Sequence, residues 1–256
     1  GENDYVDDDK IDLTAMQENL SSYKGKTSTS SPSPHEWENA FGDADVVFCI
    51  TVTSSLSGTY NSAVIAKDIY EQNHAGRKVY VLDSLSTGPE IALFIEKIAE
   101  LIKAGFAPDD IYKTLLEYKD KTHLYFSLAS LNNFAKNGRI SPVIAAGIGL
   151  LGVRVVGKAS DEGTLLPLDK CRGEKRALKK LIDHLKECGY TDGKIIIAHN
   201  NNEAGALELK KLIENTFGIF NGTIQKTRAL CSYYAEPGSL LIGFEASLCN
   251  HKPYKD

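Results

Sequence analysis

The sequence predicts an α/β protein of two domains: a three-layer α/β/α domain with a mainly parallel sheet over residues 1–121, and a mixed-sheet α+β domain over residues 122–256. Three observations predict it. Between Val46 and Tyr118, short apolar runs of strand length alternate with amphipathic helical stretches, the pattern of parallel strands joined by crossover helices. From His123 onward the alternation breaks, and Asp161-Glu162-Gly163 marks a hairpin between two consecutive strands. The 256 residues, 42% hydrophobic and 25% charged, suit one large domain or two compact ones and exclude a disordered or fibrous chain.

Taken in order, residues 1–12 read as the tail of a loop, followed by a short helix to about Ser22. A domain of this kind should open on a central strand, so the first strand is expected to be missing from the N-terminal domain. Residues 25–34 are a Ser/Thr/Pro-rich loop, and Pro34 to Phe41 reads as a short helix. Val46 to Val52 is an unbroken apolar run rich in β-branched residues, expected to be a strand buried on both faces. The helix from about Thr59 to His74 repeats Ala63, Ala66, Ile69 and Tyr70 at spacings of three and four, and Gly76 stands past its end. Lys78 to Leu82 is a second strand, with Asp83 and Ser84 at its C-terminal end. Helices follow at Pro89 to Ala104 and Pro108 to Tyr118, the second opened by Pro108-Asp109-Asp110. The second half reads as a strand His123 to Ser127, a short helix ending at Asn137-Gly138 and a glycine-rich segment 145–152. Then come strands Arg154 to Ala159 and Thr164 to Asp169, a helix Gly173 to Glu187, and a strand Lys194 to His199. A helix Glu203 to Phe217 and strands near Gly222 to Arg228 and Leu240 to Ser247 close the chain.

Composition excludes several classes of function. A net charge of −5 argues against a general nucleic-acid binder. The longest mainly apolar stretch, near Val143 to Val156, contains glycines and Arg154 and falls short of the roughly 20 residues that span a bilayer. Gly1 to Lys10 is acidic and polar, unlike a signal peptide, and the five widely spaced cysteines include no C-x-x-C pair. Reduced thiols and a cytoplasmic location are expected. The six histidines never fall two to five residues apart, so no metal and no cofactor are expected.

The densest polar constellation is Thr51-Val52-Thr53-Ser54-Ser55-Leu56-Ser57-Gly58-Thr59-Tyr60, where a strand ends and a helix begins. In an open parallel sheet that is where ligands bind. Hydroxyls beside free N–H groups and a helix dipole suit a carboxylate or a phosphate. Capping alone would use one or two of these hydroxyls. A second hydroxyl cluster is Thr29-Ser30-Ser31-Pro32-Ser33-Pro34, and Asn137-Gly138-Arg139-Ile140-Ser141 is a tight turn holding an arginine. The chain has no G-x-S-x-G elbow, no P-loop and no G-x-G-x-x-G after a strand. A serine nucleophile would need a base from elsewhere, and His199, at a strand end, is the candidate. The residues leave three readings: a carrier of an anionic ligand, an enzyme acting on a phosphorylated or acylated small molecule at the same anion site, or a structural module with no ligand.

At these segments the chain resembles the DegV family of bacterial lipid-binding proteins. Thr29 to Pro34 is similar to the family's T-S-x-P-S-P, Ser54 to Tyr60 to its S-S-x-L-S-G-T-Y, Val81 to Ser84 to its V-I-D-S, and Asn137 to Ser141 to its G-G-R-I-S. Asp161-Glu162-Gly163 through Lys170, Arg172-Gly173, His199-Asn200-Asn201 and Glu236-Pro237-Gly238 keep the family's order, so the resemblance covers nearly the whole chain. It implies one long-chain fatty acid, with its carboxylate at the hydroxyl cluster and its tail in an apolar tunnel between the domains. It also implies a non-catalytic subunit that presents the carboxylate to a separate fatty acid kinase subunit. Carried residue by residue, Thr29 and Ser57 would contact the carboxylate, with Ser30, Ser54 and Ser55 lining the pocket. Arg139, Tyr234, Gly58, Asp83 and Ser84 would lie near the head group. Three departures stand out. The family's opening T-D-S strand has no counterpart, Leu85-Ser86-Thr87-Gly88-Pro89 replaces a more glycine-rich stretch, and Tyr234 takes the place of the histidine in the family's H-T-G-P-G.

Overall fold

The computed structural model describes residues 3–141 and 152–247; the glycine-rich segment 145–151, Cys249 and His251 lie outside them. The elements are α1 (Leu13–Ser22), α2 (Pro34–Phe41), β1 (Val46–Thr51), α3 (Thr59–Asn73), β2 (Lys78–Asp83), α4 (Pro89–Lys103), α5 (Pro108–Lys119), β3 (Thr122–Leu128) and α6 (Asn132–Lys136). They continue as β4 (Val153–Ala159), β5 (Leu165–Arg172), α7 (Glu174–Glu187), β6 (Ile195–His199), α8 (Glu203–Phe217), β7 (Gly222–Lys226), α9 (Ala229–Ala235) and β8 (Leu240–Glu245).

Local chemistry sets the element ends. Ser33 and Glu36 form a capping box at α2, with Pro34 in its first turn. Asn202 caps α8 through the Gly205 N–H, and Gly218 closes that helix in the left-handed conformation. β1 and β2 pair in parallel, Val46 opposite Lys78 and Thr51 opposite Asp83. Period-two alternation then builds three layers: Val79 and Val81 pack on Phe41, Ala63, Ala66 and Tyr70, whereas Leu82 faces Leu93, Phe94, Ile111 and Leu115. The second sheet has six strands in the order β5-β4-β3-β8-β6-β7, with β6 and β7 parallel and the other pairs antiparallel. The β4–β5 pair is the hairpin expected at Asp161-Glu162-Gly163.

Three features differ from the sequence reading. β1 is not buried on both faces: Val46 is 37% exposed and only Cys49 and Thr51 are fully buried, because among the described residues β2 is its one partner. The helix α9 lies where the sequence reading assigned nothing. Cys49, Cys171 and Cys231 are free thiols as expected, but Cys188 is disulfide-bonded.

Helix α4 joins the two sheets. Its far side meets β8, where a Cβ added to Gly243 would stand 2.5 Å from the Glu90 nitrogen, so only glycine admits this close approach. Ile196 of β6 completes the core beneath Leu93 and Phe94. This packing carries Glu90 into the junction, where it is 4% exposed and accepts a 2.8 Å hydrogen bond from Thr122 Oγ1. Burial pushes its carboxyl up to about 7, against the smaller opposing effect of hydrogen bonding. A carboxyl raised in the folded state contributes its stability below the unfolded value near 4.5 and loses it as pH climbs through 7. Glu90→Gln is therefore expected to flatten the decline in stability between pH 5 and pH 8. The gain at pH 8 should be on the order of 1–2 kcal/mol, about 1.4 kcal/mol per pKa unit discounted for relaxation of the buried site. Urea unfolding at both pH values measures it; an unchanged slope would show that Glu90 stays ionised.

Candidate functional site

The site forms where β1 and β2 end and α3 begins. Strand β1 delivers Thr51 and Thr53, both buried, and the chain then turns through Ser54 to Gly58. Asp83, opposite Thr51 in the register, holds that turn: its Oδ1 accepts the N–H groups of Ser54 and Leu85, each at 3.1 Å. The Thr53 N–H donates to the Ser86 carbonyl at 2.9 Å, binding the two strand ends together. Ser84 is buried and its hydroxyl accepts the Ser86 N–H, so it shapes the loop.

Helix α3 is opened by Gly58 with no side-chain cap, leaving the positive end of its dipole toward this turn. Ser57 Oγ lies 2.7 Å from Thr59 Oγ1 and accepts the Thr59 N–H at 3.3 Å. Two half-buried hydroxyls thus sit at a helix N-terminus, the geometry that favours an anion. Loop 25–33 covers it. A Cβ added to Gly58 would stand 3.6 Å from Ser31 Oγ, and Ser62 Oγ of α3 donates to the Pro32 carbonyl at 2.5 Å.

Helix α9 supplies the other anchors of that loop. Thr29 Oγ1 and Tyr234 Oη are 2.7 Å apart, and Thr27 Oγ1 and Tyr233 Oη are also 2.7 Å apart. Tyr234 is held between Phe134, at 4.8 Å between ring centres, and Tyr233, at 4.9 Å. Tyr233 also receives a 2.8 Å hydrogen bond from Asn137 Nδ2, whose carbonyl accepts Arg139 Nη1 at 2.6 Å. Three motifs far apart in sequence therefore meet: Thr29 with Tyr234 directly, and the Arg139 turn with loop 25–33 through Asn137, Tyr233 and Thr27.

The remaining expected residues are placed differently. Ser30 and Ser54 are exposed, and the Ser55 hydroxyl is engaged by the Glu162 carbonyl in the β4–β5 turn. That turn packs tightly enough that a Cβ on Gly163 would collide with Thr53 Oγ1. His199 is buried, its Nδ1 accepts the Asn202 N–H at 3.3 Å, and burial lowers its pKa. Among the described residues it makes no hydrogen bond to a serine of the cluster. Sequence reasoning did not single out Thr27, Tyr233 or Ser62; the available signal was Leu230, Tyr233 and Tyr234 at helical spacing before Pro237-Gly238.

Behind the hydroxyl turn lies an apolar cavity of about 50 Å³, lined among others by Leu56, Leu85, Leu124, Phe126, Leu165 and Leu241. It separates the β1–β2 side of the molecule from the six-stranded sheet. Among the described residues no group of three or more His, Cys, Asp or Glu side chains is placed to hold a metal ion, and no helix is long and apolar enough to cross a membrane.

Comparison with known proteins gives concordant matches. A family model described as "Uncharacterised protein, DegV family" matches residues 1–247. A DegV domain-containing protein of Streptococcus pneumoniae is 41% identical over 241 residues, covering 94% of this chain and 86% of that protein. Among solved structures, a DegV family protein from Eubacterium eligens loaded with heptadecanoic acid superposes with a TM-score of 0.93 at 40% identity, covering 96% and 90% of the two chains. The Streptococcus pneumoniae Fatty Acid Kinase (Fak) B3 protein loaded with linoleic acid gives 0.94 at 40% identity, covering 96% and 87%.

Proposed function

This chain belongs to the DegV family, and we propose that it is a carrier of one long-chain fatty acid, not itself an enzyme, holding the carboxylate at the hydroxyl-lined N-terminus of α3 and the tail in the apolar space behind it. The observation that carries the reading is that one turn, residues 53–58, carries the Ser57–Thr59 hydroxyl pair at the uncapped α3 N-terminus, is covered by the loop whose Thr29 meets Tyr234, and contributes Thr53 and Leu56 to the apolar cavity. A carboxylate leaving water must be hydrogen-bonded, and hydroxyls with a helix N-terminus supply those bonds without a full counter-charge. Fatty acids fill similar structures at 40% identity. In this reading Thr29 and Ser57 contact the carboxylate, Ser30, Ser54 and Ser55 border it, and Asp83, Ser84 and Gly58 shape the turn. Arg139 and Tyr234 stand beside the head group. The ligand lies between domains 1–121 and 122–256, in the cytoplasm, and no cofactor takes part.

The Fak B3 relative is named as part of a fatty acid kinase. The reading extends to a kinase subunit to which this carrier presents the exposed carboxylate. The protein purified from bacteria is expected to carry about one equivalent of long-chain fatty acid, seen by solvent extraction and mass spectrometry. Absence of any fatty acid, together with no uptake of added palmitate or oleate, overturns the carrier reading.

A further inference from the structure

A second, larger cavity of about 240 Å³ lies beside the apolar one. The two share Leu85, Leu124 and Ala159 as walls. Its lining is of another character: Glu90 from α4, Thr122 from β3, Ser84 after β2 and Lys158 from β4 bring buried polar groups to it, and Lys119, Asp120, His123 and Asp161 stand at its more exposed side. Lys158 is 5% exposed, and its side chain makes no hydrogen bond or ion pair among the described residues. Asp161 and Glu162 favour its charge from a distance, but burial dominates and lowers its pKa. Glu90 is 4% exposed with Thr122 as its hydrogen-bond donor. Two largely buried ionisable groups of opposite sign therefore line one chamber without forming an ion pair with each other, leaving polar positions along its wall that a hydrocarbon tail alone does not use. Between the chambers stands Leu85, a non-glycine residue at φ 53°, a strained conformation that persists only where surrounding contacts impose it.

We propose that the polar chamber selects acyl chains that carry a hydroxyl group along the tail, so that a hydroxy fatty acid is the preferred ligand class. The inference rests on the carrier reading above. A tail entering from Ser57 crosses the apolar cavity and, once Leu85 moves aside, reaches Lys158 and Glu90. A hydroxyl group fits both: the Lys158 ammonium offers donors and no acceptor, the Glu90 carboxyl accepts when ionised and can also donate when protonated, and an alcohol is donor and acceptor at once.

The test is equilibrium binding of four acids to the full chain: octadecanoate and 12-hydroxyoctadecanoate, hexadecanoate and 16-hydroxyhexadecanoate. At least one hydroxy acid is expected to bind about 10-fold more tightly than its parent, a single charge-assisted hydrogen bond net of desolvation. Lys158→Met, which keeps the side-chain volume and removes the buried charge, should abolish that preference, with the parent acids binding at least as tightly as before. Glu90→Gln should reduce the preference in part. Thermal melting confirms that each variant is folded. Parent acids binding as tightly as both hydroxy acids, or a preference that survives Lys158→Met, overturns the proposal while the carrier reading stands. Failure of all four acids to bind overturns both.

Discussion

Thr29→Val and Ser57→Ala are each expected to weaken binding of a long-chain fatty acid by roughly 10- to 100-fold, the equivalent of one hydrogen bond to a charged group, about 1.5–3 kcal/mol. The two substitutions act at different points. Ser57 lies in the turn before α3, beside the Thr59 hydroxyl and N–H. Thr29 lies in the covering loop and shares a hydrogen bond with Tyr234 of α9. Thr29→Val keeps the shape of the side chain, removes its hydroxyl, and leaves the Tyr234 phenol without this partner, so its effect should be the larger. Ser55→Ala is the internal control. That hydroxyl is already engaged by the Glu162 carbonyl, so its removal loosens the β4–β5 turn more than it weakens the head-group site. Displacement of a fluorescent polyene fatty acid, read on all three variants, gives the order. Unchanged affinity in both Thr29→Val and Ser57→Ala removes the carboxylate from this position.

Much of this arrangement was legible in the sequence, for reasons that can be located. Strands β2 and β6 announce themselves as short apolar runs, α5 opens on Pro108-Asp109-Asp110 and α8 carries its own Asn202 cap, so period and punctuation suffice. The Thr53 to Thr59 turn was visible because five hydroxyls exceed what a cap requires. Helix α9 was not: seven residues long with no side-chain cap, it is held by tertiary contacts such as Asn133 Nδ2 to the Tyr233 carbonyl and Ser232 with Thr227. Its fate decided the site, since Tyr233 and Tyr234 clasp loop 25–33 across more than 200 positions of sequence. The burial of β1 was misjudged for a related reason. An apolar run reports what a strand tolerates, whereas its exposure depends on which neighbours pair beside it. Lys158 left no local trace at all; a lysine in a strand reads as solvated until the packing around it is known.

Tyr234→His is expected to raise acyl phosphate formation by roughly 10- to 100-fold when the loaded protein is paired with a kinase subunit from a histidine-bearing relative. The reaction joins a carboxylate oxygen to the transferred phosphorus while the bond to the phosphoryl donor's leaving oxygen breaks, and negative charge spreads over the phosphoryl oxygens in the transition state. An imidazole beside the head group can carry a proton and stabilise that charge, whereas a phenol offers one neutral O–H donor. Here the phenol is already committed to Thr29, with its ring packed against Phe134 and Tyr233. Binding of the ground-state carboxylate needs hydrogen bonds, which the Thr29–Tyr234 pair and the α3 N-terminus supply, so affinity should change far less than the rate. The substitution is thus expected to separate carrying from presenting. The measurement is acyl phosphate formation by both forms with fatty acid loading matched, alongside their fatty acid affinities. Full activity in the unsubstituted protein would show that the tyrosine does the histidine's work, and that transition-state charge is met by another group, of which the Arg139 guanidinium behind Asn137 and Tyr233 is the first to examine by Arg139→Gln.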